Sequence, residues 1–137
     1  MTAKNIKYFN HAKHIAEMSD FNRIHIGCIA VQGNKILSTG FNTNKSHPLQ
    51  MHYNRFRELH GDGMCKHSLH AEIACLVPLW SCEIDWSKVD LYVYRIRRDI
   101  GKGLARCCPA CMEAIKELGI KSIYYTTNDG FAHEYIN

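Results

Sequence analysis

His70-Ala71-Glu72 and Cys108-Pro109-Ala110-Cys111 each open a run of helical spacing, and this pairing restricts the fold more than any other feature of the chain. Two cysteines three apart at a helix start lie on one face, so both sulfurs can reach one ion. The partial positive charge at a helix N-terminus favours the thiolate form that zinc needs. His70, Cys108 and Cys111 offer one neutral imidazole and two thiolates, which suits Zn2+ and leaves the fourth tetrahedral position to water. A structural site would normally be closed by a fourth protein ligand. Glu72 lies two residues past the histidine and need not bind metal. As the catalytic group it can take a proton from activated water and pass it to a leaving amine.

The rest of the pattern supplies a frame for them. Residues 4–18 place Ile6, Phe9, Ile15 and Met18 at roughly helical spacing, with Ser19-Asp20 as a stop. Gly33-Asn34 between 24–32 and 35–41 is a hairpin signal, with the first strand buried on both faces. Residues 42–69 have no steady period and predict a long functional connection with a short helix near 49–59. A helix over 70–80 is interrupted or ended around Pro78, and 89–96 reads as a strand. Residues 100–105, with Gly101 and Gly103, read as a loop. A helix follows over 108–118, closed by Gly119, then strands over 121–127 and 131–136. An opening hairpin demands antiparallel pairing, and strand–helix–strand units demand parallel crossovers. The expectation is an α/β fold, a three-layer α/β/α sandwich around a mixed sheet.

With 137 residues the chain suits one domain over 1–137. No apolar run approaches a membrane span, and the first residues lack a secretory pattern, which predicts a cytoplasmic protein with no membrane partner. The formal charge of +4, from 17 basic and 13 acidic residues, suits an anionic small substrate and falls short of a duplex-DNA-binding surface. Seven cysteines exclude a complete internal disulfide framework, and with nine histidines they point to metal.

The H-x-E and Cys-x-x-Cys together resemble the zinc signature of the cytidine and deoxycytidylate deaminase superfamily, to which tRNA adenosine deaminases also belong. Cys65-Lys66-His67-Ser68-Leu69-His70-Ala71-Glu72 is similar to the C-x-R-x-x-H-A-E segment of deoxycytidylate deaminases. Gly40-Phe41-Asn42 resembles the Gly-aromatic-Asn that ends their second strand, and Leu91-Tyr92-Val93 sits where they have the strand before the cysteines. The resemblance implies a cytidine deaminase-like fold, zinc as cofactor on His70, Cys108 and Cys111, Glu72 as proton shuttle, and a homo-oligomer. It also implies substrate contact at Asn42, to which we add Ala71 and Arg98 as candidate contacts. Three departures stand out: Cys107 replaces the usual proline, His67 replaces the arginine, and 95–106 is longer than the usual link.

Plainer readings exist for several residues. Cys28, Cys75 and Cys82 read as small core residues, and Cys107 as a neighbour of the site that is open to oxidation. His60, Cys65 and His67 read as polar loop residues plus one buried thiol in preference to a second metal site. Arg95, Arg97, Arg98, Lys102 and Arg106 are a basic cluster, either solvated surface or phosphate-binding. Tyr92, Tyr94, Tyr124 and Tyr125 read as strand residues before a base-stacking platform.

Three functions compete. The leading one is deamination of a free nucleotide such as deoxycytidylate, with Arg55, Arg57 and Arg98, or a cation within 95–106, receiving the phosphate. The second is deamination of bases in single-stranded DNA or RNA, or of a purine. The third is a non-catalytic zinc-stabilised domain, against which the open coordination position argues.

Overall fold

Thr2 starts the first helix by capping it: its side chain accepts from the Asn5 backbone while Asn5 reaches back to the Thr2 N–H. The computed structural model describes residues 1–21, 24–59, 67–97 and 101–136. In chain order they form α1 (Ala3–Ala16), β1 (His25–Gln32), β2 (Lys35–Phe41), α2 (Pro48–Leu59) and α3 (Ala71–Leu76). Two 3-10 turns, Val77–Leu79 and Trp86–Lys88, lead into β3 (Val89–Arg97) and β4 (Gly101–Gly103). Then come α4 (Pro109–Leu118), β5 (Ser122–Thr126) and β6 (Phe131–Tyr135).

One mixed sheet runs in the order β2-β1-β3-β5-β6. The opening hairpin turns at Gly33, whose φ of +63° is the left-handed conformation that glycine adopts without strain. β1 pairs antiparallel with β2 and with β3, β3 pairs parallel with β5 through α4, and β6 returns antiparallel. The parallel part expected after the hairpin is thus this one pair among the described residues.

The sheet's alternation sorts side chains into two cores. Ile29, Val31, Tyr92 and Tyr94 meet Tyr8, Phe9 and Ala12 of α1 on one face. Cys28, Ala30, Leu91, Val93 and Ile123 meet α3 and α4 on the other, with Tyr53 of α2 in the same cluster. Helices on both faces make the three-layer α/β/α arrangement. The tyrosines pack the sheet, with Tyr92 and Tyr124 stacked at 4.5 Å between centroids.

Two local expectations are corrected. The stretch read as a loop over 100–105 contains β4, which pairs Gly101 with Arg97 and Gly103 with Arg95. β5 covers β3 only from Asp90 to Val93, so the last residues of β3 have an open edge that β4 fills. Cys82, read as core, is exposed on the segment between the two 3-10 turns, whereas Cys28 and Cys75 are fully buried. No helix among the described residues is long and apolar enough to cross a membrane.

Candidate metal centre and its cavity

α3 lies close against the hairpin because Gly40 has no side chain. A Cβ there would sit 2.3 Å from the Cys75 backbone nitrogen and 2.8 Å from the Ala71 carbonyl oxygen. That approach sets His70, the N-cap residue of α3, and Glu72 on its first turn against the sheet. α4 begins at Pro109, a residue suited to a first helical turn, and leaves Cys108 as its N-cap. Cys111 follows on the buried face with Ala110, Ala114 and Ile115.

The two helix starts meet as the sequence predicts. His70 Nδ1 lies 3.4 Å from Cys108 Sγ and 3.3 Å from Cys111 Sγ, and the three donor atoms fall within 4.8 Å of one another. Tetrahedral zinc with ordinary Zn–N and Zn–S bonds separates such donors by about 3.6 Å, so the set fits the ion with small adjustments. Its chemistry fits as well. The Cys111 thiol hydrogen-bonded to Cys108 holds the Cys108 thiol down to about 4 against its burial, with His70 adding to the effect. Cys111 is pushed up by that same partner and by burial.

His70 is fixed from outside. Its backbone N–H donates to Gln50 Oε1 at 3.0 Å, and Gln50 Nε2 donates to Asn54 Oδ1 at 2.8 Å. Asn54 Nδ2 lies 2.8 Å from His67 Nδ1. Gln50 and Asn54 are completely buried on α2, and the sequence reading missed both. The available signal was a Gln–Asn pair four residues apart on the same side as Tyr53. Arg57 Nη1 lies 3.2 Å from His70 Nε2. Arginine only donates, so this contact needs an unprotonated Nε2, whereas ligation through Nδ1 leaves the proton on Nε2. The two are therefore alternatives.

Glu72 is 5 % exposed, and burial raises its carboxyl above the usual range, partly offset by His70. It lines, with His70 and Cys108, a cavity of about 550 Å³ whose wall also includes Ile26, Asn42 and Leu69. Arg57, Arg95 and Arg106 bring positive charge to the same wall. Ala71 is fully buried and is not among the lining residues. Arg55 is exposed, leans over the Phe56 ring and is not among the lining residues.

Asn42 reaches the cavity, yet most of its polar capacity is spent on the fold. Its Oδ1 accepts from Ser19 Oγ at 2.6 Å and from the Ile26 N–H at 2.9 Å. Its Nδ2 donates to the Ile24 carbonyl at 2.8 Å, leaving one N–H for a ligand. Arg98, His60 and Cys65 lie outside the described residues.

A mixed sheet sandwiched by helices, with a His-Cys-Cys donor set and a buried carboxylate at one cavity, defines a metal-dependent enzyme. The chain belongs to the family described as the cytidine and deoxycytidylate deaminase zinc-binding region, which it matches over residues 2–127. It is thus a zinc-dependent deaminase. Solved structures share the fold at low sequence identity. The dCMP deaminase of cyanophage S-TIM5 in apo form superposes with a TM-score of 0.64 at 22% identity, covering 93% of this chain and 86% of that one. The same enzyme in complex with dCMP and dUMP gives 0.64 at 21% identity, over 93% and 84%. Cytidine deaminase from Burkholderia pseudomallei gives 0.64 at 16% identity, over 99% and 94%. No curated protein matches the sequence significantly.

Proposed function

We propose that this chain deaminates cytosine in a free deoxynucleotide such as deoxycytidylate, releasing ammonia and the uracil nucleotide. The observation that carries this reading is the cavity of about 550 Å³ with Glu72, His70 and Cys108 in its wall. That volume is within the usual range for a small-molecule site. A structurally similar cyanophage enzyme is known in complex with dCMP and dUMP, which supports a nucleotide of that kind.

Zinc held by His70, Cys108 and Cys111 would supply a Lewis acid that lowers the pKa of water at an open fourth position. Glu72 would accept a proton from the attacking water and deliver one to the exocyclic nitrogen. A C–O bond forms at the ring carbon as its C–N bond breaks, and the nitrogen leaves as ammonia. Burial raises the Glu72 carboxyl above its ordinary range, which makes it a stronger base toward the attacking water than an exposed carboxylate. Gln50 and Asn54 would keep the His70 backbone fixed, and Asn42 would offer its remaining N–H to the sugar.

A second reading, a base within single-stranded nucleic acid, draws on Arg97 and Lys102 of the β3–β4 hairpin. Both are half-exposed, on the hairpin that carries Arg95 of the cavity wall. Ammonia release measured across deoxycytidine, dCMP, dCTP and a cytosine oligonucleotide separates the two. Turnover highest on the monophosphate supports the first reading. Turnover confined to the oligonucleotide replaces it with the second.

A further inference from the structure

β3 presents Leu91 and Val93 to the core shared with α3 and α4, and the next residue on that face is Arg95. Arg95 therefore enters the cavity wall from the end of an apolar row. It is held there with care. Its backbone N–H donates to Thr126 Oγ1 at 3.1 Å, and the same hydroxyl donates to the Gly103 carbonyl at 2.6 Å. Thr126 is fully buried, so this one side chain ties the ends of β3, β4 and β5 together. Gly103 leaves room for the stems above it: a Cβ there would lie 3.1 Å from Arg95 Cδ and 2.5 Å from Arg97 Cγ.

The guanidinium is only partly used. One Nη donates to the Leu104 carbonyl at 3.3 Å, while Nε is buried with no hydrogen-bond partner. A buried N–H without an acceptor is unfavourable and calls for an occupant. Arg106, also of the wall, is engaged elsewhere and grips both oxygens of Glu134 at 2.7 and 3.1 Å.

We infer that Arg95, set in place by Thr126 and Gly103, is a specificity residue that receives a phosphate-type oxyanion of the ligand in this cavity. Its planar fork matches the oxygens of a phosphate monoester, to which a single point charge is less suited. This assignment rests on the nucleotide reading above and names the residue on which discrimination between nucleotide and nucleoside turns.

The test uses the zinc-loaded protein and two variants, Arg95→Gln and Arg95→Lys, each checked for retained zinc. With dCMP and deoxycytidine as substrates, the ratio of their kcat/KM values should fall by about tenfold to a hundredfold in Arg95→Gln, mainly through KM for dCMP. Arg95→Lys keeps charge and bulk, and it should recover only part of the ratio. An unchanged ratio in zinc-retaining Arg95→Gln overturns the assignment. Calorimetric binding of inorganic phosphate gives a readout independent of turnover. Wild type should bind it, and both variants should bind it about tenfold or more weakly. If Arg95→Gln does not fold, Arg95→Lys carries this comparison, and undiminished phosphate binding there overturns the proposal. If no cytosine compound is consumed while phosphate binding still depends on Arg95, the cytosine reading falls and the assignment stands.

Discussion

His70, Cys108 and Cys111 converge from two helix starts, so zinc would bind there and also pin α3 to α4. Cys108→Ala or Cys111→Ala should each lose zinc and lower thermal stability, because metal binding to such a site couples to folding. Zinc analysis with a melting curve on each variant checks this; full metal retention in both variants removes these cysteines from the ligand set. Glu72 plays a different part. Glu72→Gln keeps the shape of the side chain but cannot accept a proton, so it should retain zinc while losing about 10²-fold or more in turnover. Gln50 offers a third measurement. Gln50→Leu leaves the His70 N–H buried without its acceptor, which should cost about 1–3 kcal/mol in denaturant unfolding. The meeting of His70, Cys108 and Cys111 beside Glu72 was legible in the sequence because their spacing puts them on helix starts. Gln50 and Asn54 were not, because polar residues on a helix are ordinarily solvated. Only the packing of α2 against α4 and the His70 segment turns them inward.

Elements that depend on local chemistry were readable, and those that depend on a distant partner were not. The Gly33-Asn34 turn, the break around Pro78 and the Gly119 stop all declare themselves in a few residues. β4 does not, since two of its three residues are glycines and it exists only because β5 is shorter than β3. Gly40 shows how closely the hairpin and α3 are fitted. Gly40→Ala drives a Cβ into α3 backbone at 2.3 Å, which should destabilise the protein by about 1–3 kcal/mol or more and loosen the metal site. A melting temperature equal to wild type would show that α3 can retreat without cost. At the sheet edge, Glu134 of β6 holds Arg106 and accepts from Tyr125. The Arg106 contact, then the Tyr125 contact, lower the Glu134 carboxyl below its ordinary 4.5. A lowered carboxylate stabilises the fold above that ordinary value and loses its contribution as pH falls through the lowered one. With Arg106 half-exposed, Glu134→Gln should cost under about 1 kcal/mol near pH 7, and the difference from wild type should vanish in acid. Urea unfolding of both proteins across that range checks the sign.

Taken whole, the molecule brings a modest positive charge of +4 and a cavity lined by Glu72 and three arginines to the cytidine and deoxycytidylate deaminase family. Charge separates the candidate ligands physically. A monophosphate engages one or two cations, so its binding should weaken only gently with salt. A strand releases counterions at every neutralised phosphate, and its affinity should fall steeply. Comparison at fixed ionic strength is therefore essential. The most direct measurement is ammonia release from dCMP by the zinc-loaded protein, run beside zinc-retaining Glu72→Gln and beside a cytosine oligonucleotide. The account predicts stoichiometric dUMP and ammonia from the wild type, turnover lower by about 10²-fold or more in Glu72→Gln, and faster turnover of dCMP than of the oligonucleotide. Consumption of the oligonucleotide with dCMP untouched, or dCMP turnover undiminished in Glu72→Gln, would contradict it.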